Sequence, residues 1–180
     1  SNNKYGSNFK NEKYNIEFVS ANPTGPMHVG HCRGAIFGDV LSNLLIFNGN
    51  NITKEYYIND YGNQIKNFTK SVYLRLREIK FNEKFVNEDD LYPGEYIVDI
   101  AKNILIKEPN ISLENFDKIF SHLKEVSLNH SMNLIKDDLK ALGIKHDNFV
   151  SETSLIEQNL VEKSISYLGK KLCWKWFSRT

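Results

Sequence analysis

An open α/β fold with a parallel sheet is the class this sequence predicts, and three features of its first sixty residues predict it. They are an apolar run at Ile16–Val19, a helical pattern from about Gly30 to Phe47, and a β-branched and aromatic run at Ile52–Ile58. Two strands joined by a helix imply a right-handed parallel βαβ unit. The loop between the first strand and the helix runs from Ser20 to His31. In open sheets such a loop attracts phosphates, because the first N–H groups of the helix have no internal partners. Pro23 and Pro26 fix backbone angles, while Gly25 and Gly30 permit close approach. His28 and His31 share the first helical turn and can donate to phosphoryl oxygens. In isolation, a turn with two surface histidines accounts for this motif better. A zinc site using His28, His31 and Cys32 lacks a second Cys/His pair, so no metal site is expected.

Taken in order, residues 1–14 read as a linker rich in Asn and Lys, and the first strand follows it. By the two-residue period Phe18 and Ser20 face one side of that strand, Glu17 and Val19 the other. Glu17 is expensive to bury unless a cation meets it; an edge position facing water explains it equally well. The first helix carries Ile36, Phe37, Val40, Leu41, Leu44 and Leu45, a stripe expected to pack on the sheet, and Asn48-Gly49 ends it. Arg33 near its start is unfavourable to the helix dipole and serves either solvent or an anion. The second strand leads into the polar segment Asn59–Gln64, on the same rim as the first loop. A second helix buries Ile65, Phe68, Val72, Leu76 and Ile79; Arg75, Arg77 and Lys80 suit its last turns.

From Phe81 to Pro109 the pattern is irregular or briefly helical, with Ile97, Ala101, Ile104 and Leu105 as an apolar face. A long helix is expected over residues 112–142, broken near Asn129 and capped by Gly143. Its inward residues are Phe116, Ile119, Phe120, Leu123 and Val126, then Met132, Ile135, Leu139 and Leu142. Exposed helix positions suffice for His122 and His130. A short strand at Asn148–Val150 precedes a capping box, Ser154 to Glu157, opening a last helix that buries Leu160, Ile165 and Leu168.

Composition narrows the classes. The 180 residues suffice for one domain with a core, or for part of something larger. Lys and Arg total 23 against 22 Asp and Glu, so net charge gives no independent sign of a nucleic-acid partner. Two separated cysteines, Cys32 and Cys173, form no disulfide framework and suit a reducing compartment. There is no apolar signal segment and no membrane-spanning run, so a cytoplasmic location without membrane association is expected.

His28-Val29-Gly30-His31 resembles the first signature of class I aminoacyl-tRNA synthetases. The segments Glu17–Pro23, His31–Gly34 and Tyr56–Gln64 resemble the bacterial arginyl-tRNA synthetase family, densely from Ile16 to Tyr73. Tyr92–Tyr96 and Asp137–Gly143 extend the likeness more weakly. The resemblance implies the first half of a Rossmann-like (HUP-type) parallel sheet with a largely helical insertion. Its divisions are residues 1–14 linker, 15–80 first half of the catalytic domain, 81–130 insertion, 131–171 return to the catalytic domain, and 172–180 an atypical tail. The family continues there through an aromatic, glycine-containing hairpin, which a one-nucleotide frame change over Leu172–Thr180 would restore for suitable codons.

The function so implied is activation of L-arginine with ATP and transfer to tRNA(Arg), with Mg²⁺ accompanying ATP. His28 and His31 are the implied catalytic pair. ATP would be bound by His28, Gly30, His31 and Arg33, arginine by Glu17, Ser20 and Asn22, with Asp60 and Gln64 at the pocket edge. Glu17 would receive the guanidinium and Asn22 the α-amino group. In the family's G-D-x-G-x-Q segment Asn59 replaces glycine. The second signature, a lysine loop of K-M-S-K type, is absent. Some arginyl enzymes without that loop carry a lysine where this chain has Gly25, so dependence on a lysine outside the chain is implied. A monomer is expected, with tRNA contacts mainly outside these residues, and the isolated chain is expected not to aminoacylate. Two other readings stand: a different H-x-G-H nucleotidyltransferase, such as a cytidylyltransferase-like enzyme, and an inactive truncated nucleotide-binding module.

Overall fold

The computed structural model describes the backbone of residues 11–177 and the side chains of residues 11–169; the tail at 172–180 and Cys173 lie outside the described side chains. The elements are β1 (Lys13–Glu17), α1 (Val29–Phe47), β2 (Asn51–Ile58), α2 (Asn63–Phe81), α3 (Glu95–Lys107), α4 (Phe116–Ala141), β3 (Asn148–Ser151), α5 (Glu152–Glu157) and α6 (Leu160–Phe177). The sheet is parallel throughout, in the order β1-β2-β3, with Glu17 opposite Glu55 and Glu55 opposite Asn148. This is the predicted α/β class.

Both crossovers advance in the same direction along the sheet, so right-handed connections place α1 and α4 on one face. Phe18, Ala35, Tyr56, Met132, Ile135, Leu139 and Ile144 form the core there. A second core joins α2, α3 and the first half of α4 through Phe68, Val72, Leu76, Ile97, Ile100, Ile104, Leu113 and Leu123. The single helix α4 therefore belongs to both.

Several expectations need correction. The first strand starts at Lys13, inside the presumed linker, and ends at Glu17. Val19 and Ser20 are not strand residues: both have positive φ, 68° and 42°, and the two-residue alternation stops before them. The apolar stripe of α1 does not lie on the sheet. Ala35, Gly38 and Ser42 do, whereas Ile36, Phe37, Val40, Leu41 and Leu44 are exposed. The reason is space: a Cβ at position 38 would collide with the Phe18 ring, so β1 tolerates only a small-residue face. Ile79 and Leu142 are also exposed.

The long helix is continuous through Asn129 and begins four residues later than expected, where the Asn115 side chain accepts from the Lys118 N–H at 3.2 Å. Ser151, not Ser154, opens the helix after β3, its hydroxyl accepting from the Ser154 N–H at 3.2 Å. Leu160, Ile165 and Leu168 are exposed rather than buried. No helix among the described residues is long and apolar enough to cross a membrane.

His146 is buried where Phe18, Tyr56 and Phe149 surround it, with ring centroids 4.3, 5.4 and 5.8 Å away. Neither ring nitrogen makes a well-formed hydrogen bond. Desolvation lowers its pKa, the Phe18 backbone only partly opposing this. Because the unfolded chain binds this proton more readily, stability should fall as pH drops below the ordinary imidazole range, near 6.5. His146→Phe, which keeps the ring packing, should flatten that limb of the stability–pH curve measured by urea denaturation.

Glycine positions give a sharper packing test. Gly38→Ala should cost about 1–3 kcal/mol through collision with Phe18. Gly34→Ala, on the same helix with open space around it, should gain about 0.5–1 kcal/mol. Thermal denaturation of the two variants checks the contrast, and equal effects would contradict this packing.

Candidate functional site

The site is built where β1 ends. Phe18 N–H still donates to the Glu55 carbonyl at 3.2 Å, in the manner of the ladder. The chain then leaves the sheet through two consecutive positive-φ residues, one of them β-branched, a conformation worth about 1–3 kcal/mol of strain per residue. The Ser20 hydroxyl takes over: it accepts from Tyr57 N–H at 3.0 Å and donates to Glu17 Oε1 at 2.5 Å. Farther along, Tyr56 Oη donates to the Ala21 carbonyl at 2.8 Å, and Pro23 is fully buried.

Glu17 is exposed and faces the side of the sheet opposite α1 and α4. Its register partner Glu55 has the same parity, so two carboxylates stand on adjacent parallel strands, an arrangement that disfavours itself unless a cation intervenes. The adjoining rim is acidic too. Burial raises the Tyr57 pKa, and the charges of Glu152, Asp60 and Glu17 raise it further.

Asn22 is held from both sides by β2 and α2. Asn59 Nδ2 donates to Asn22 Oδ1 at 3.2 Å, and Asn22 Nδ2 donates to Gln64 Oε1 at 2.9 Å. Gln64 thus joins the predicted arginine group. Asp60 turns away from it: its carboxylate accepts from Ser151 Oγ at 2.6 Å and Thr153 N–H at 2.8 Å, latching β2 to the start of α5. It also lines a cavity of about 570 Å³ between α4 and α5.

On the helix side, His28 is the N-cap of α1, and its Nδ1 accepts from Gly30 N–H at 3.1 Å. His28 N–H in turn donates to His31 Nδ1 at 3.3 Å, completing a capping box made of two imidazoles. The rings stack 3.7 Å apart. With each Nδ1 used as an acceptor, each neutral ring carries its proton on Nε2, and those two N–H groups remain to meet an anion. Burial, followed by the charge of His28, lowers the His31 pKa. A Cβ at Gly30 would sit 3.0 Å from the His28 ring, so glycine is what lets that ring fold back. Arg33 is exposed two residues beyond His31.

Sequence reasoning missed three supports. Asn59 was visible only as a departure from a glycine pattern. Tyr96, on α3, lies 3.1 Å from where a Gly25 Cβ would be, bringing the insertion onto the loop. Asp138, on α4, accepts from Met27 N–H at 3.3 Å. The weak likenesses at Tyr92–Tyr96 and Asp137–Gly143 were the available signal for the last two. Among the described residues, no group of three or more His, Cys, Asp or Glu could hold a metal ion.

Comparison with known proteins decides the family. A family model described as tRNA synthetases class I (R), catalytic domain, matches residues 1–91. The chain belongs to that family. An arginine–tRNA ligase of Pelagibacter ubique is 56% identical over 170 residues, covering 93% of this chain and 30% of that protein. One from Ehrlichia chaffeensis is 50% identical over 161 residues, covering 89% and 28% respectively. A solved structure described as an arginyl-tRNA synthetase of Campylobacter jejuni superposes with a TM-score of 0.79 at 37% identity, covering 89% of this chain and 36% of that one. An arginyl-tRNA synthetase of Thermus thermophilus, 18% identical with a TM-score of 0.56 and covering 91% of this chain and 27% of that one, shares the fold. The chain thus spans less than a third of the length of these two arginine–tRNA ligases.

The Asn22 amide supplies a direct test within this class I synthetase segment. Gln64→Glu keeps only an acceptor facing Asn22 Nδ2 and locks the amide as it stands. Asn59→Asp replaces the donor by an acceptor and favours the reversed amide. In ¹⁵N-resolved spectra of the 180-residue chain, Q64E should leave the Asn22 side-chain resonances nearly in place, whereas N59D should move them. Equal displacement by both would show that the two neighbours do not orient Asn22.

Proposed function

We propose that this chain is the part of an arginine–tRNA ligase that receives L-arginine and ATP. The carrying observation is the exposed Glu17 carboxylate, fixed by Ser20 beside the oriented Asn22, on the same loop that presents the His28–His31 pair. Glu17, with Glu55 beside it, supplies the negative potential a guanidinium seeks. Asn22 Oδ1 and its neighbourhood suit an α-ammonium group. On the other side of the loop, the α1 N-terminus with two Nε2–H donors suits phosphate oxygens.

In this reading the arginine carboxylate attacks the α-phosphorus of ATP, pyrophosphate leaves, and the arginyl group of the adenylate then passes to the terminal ribose of tRNA(Arg). No protein nucleophile is required; positioning and charge stabilisation by His28 and His31 supply the acceleration. Gly30 and Arg33 complete the ATP side. Mg²⁺ would be held chiefly by the nucleotide phosphates. Residues 15–80 and 131–171 form the catalytic portion in this reading, and residues 81–130 the insertion. The remaining length of the relatives would supply the lysine that Gly25 does not and most tRNA contacts, in a cytoplasmic monomer.

The isolated chain should therefore give no measurable arginine-dependent pyrophosphate exchange, and robust exchange would overturn its dependence on the missing length. Replacing the matched segment of the Pelagibacter ubique ligase by this chain should restore exchange. In that chimera His28→Ala should lower adenylate formation by about 100-fold while arginine remains preferred over lysine. Loss of that preference with exchange retained would show that the two sides of the loop are wrongly assigned.

A further inference from the structure

The outward face of α1 belongs to no site described above. Phe37, Val40 and Leu44 recur at helical spacing, with Ile36, Leu41 and Phe47 beside them, and all are exposed; Phe37 is 71% and Leu44 57% accessible. At about 100° per residue this stripe lies roughly opposite Ala35, Gly38 and Ser42, which meet the sheet. A helix that packs on the sheet by one side and carries an apolar stripe on the other, with Asp39 and Asn43 confined to one flank, has the pattern of an interior helix. Extending the sheet from the free edge of β1 would not cover this stripe, because it points away from the sheet.

We propose that α1 is an interior helix whose outward stripe, centred on Phe37, Val40 and Leu44, is covered by polypeptide that the full-length relatives carry outside the matched segment. That occupant is favoured over a second copy by length: some 70% of the Pelagibacter ubique ligase lies beyond the segment this chain covers. The parallel sheet points the same way. Such sheets are ordinarily covered on both faces, and here the face bearing Glu17 and Glu55 has no layer among the described residues, so the surrounding protein is incomplete on more than one side. The covering element is an amphipathic apolar one, since the stripe offers no charged or hydrogen-bonding side chain for more than three turns. The proposal rests on family membership and not on the assignment of arginine or ATP to the loop.

The test compares one double substitution in two settings. In the isolated 180-residue chain, F37K/L44K places two cations on a solvent-exposed face and should leave the thermal midpoint within about 2 °C. In the chimera with the Pelagibacter ubique ligase the same pair should lower the midpoint by more than about 5 °C, because the cations are then buried. Should the chimera not accumulate, two lysines at the aligned positions of the intact ligase give the same reading. Neutrality in both settings overturns the proposal. So does sedimentation of the unsubstituted chain as a dimer that F37K/L44K converts to monomer with no penalty in the chimera, which would assign the face to a second copy. The midpoint does not depend on catalysis, so failure here is distinguishable from failure of the arginine reading.

Discussion

The structure depends on how β1 stops. A strand that continued past Phe18 would carry Val19 and Ser20 along the ladder and point the following loop away from β2. Two positive-φ residues break the ladder instead, and the Ser20 hydroxyl takes a β2 backbone donor, Tyr57 N–H, while holding Glu17. The strain of two such residues is of the order of 1–3 kcal/mol each. Burial of Phe18, Ala21 and Pro23, the Tyr56–Ala21 hydrogen bond and the Ser20 bridge offset it. Strain so placed is also positional: it turns Asn22 toward Asn59 and Gln64, and sends the chain across to the N-terminus of α1.

From that exit follow two chemically different surfaces on one short loop. The strand side is acceptor-rich, with Glu17, Glu55 and the Asn22 amide. The helix side is donor-rich, with the dipole of α1 and two imidazoles whose Nδ1 atoms are already committed to the capping box. The capping box does more than stabilise the helix, because it commits one nitrogen of each ring. Using Nδ1 internally fixes the tautomer, so donor chemistry at Nε2 is set before any ligand arrives. Burial holds His31 below the ordinary imidazole range, and the charge of the stacked His28 adds to the effect.

What the sequence made legible was local, and what it hid was relational. The βαβ order, the Asn48-Gly49 stop, with Gly49 at φ 83°, and the buried faces of α2 and α3 follow from periodicity and turn chemistry. The residues of the histidine motif were marked by the family resemblance, since their spacing alone is explained as well by a turn with two surface histidines. Periodicity could not say which side of α1 meets the sheet, because apolar residues occur nearly all round it and the decisive contact is one glycine against Phe18. Nor could it separate Ser151 from Ser154 as a cap, since both are followed by an acidic residue or a short apolar run. The roles of Asn59 and Tyr96 required the tertiary approach of β2 and α3 to the loop, which no local pattern encodes.

The exposed apolar stripe of α1 and the facing carboxylates of Glu17 and Glu55 are two features that local stability does not explain. A helix does not keep Phe37, Val40 and Leu44 in water when a charged face would cost nothing, and adjacent strands do not carry Glu17 opposite Glu55 without something to set against the repulsion. Their remedies differ in kind. Apolar surface calls for permanent cover by more polypeptide, because its driving force is area removed from water. Two carboxylates beside an oriented amide call instead for a cation, which a ligand can supply as well as a side chain. Among the described residues Glu17 makes no ion pair, so the charge at this strand end can be met by a mobile cation, whereas the outward face of α1 can be satisfied only by apolar cover.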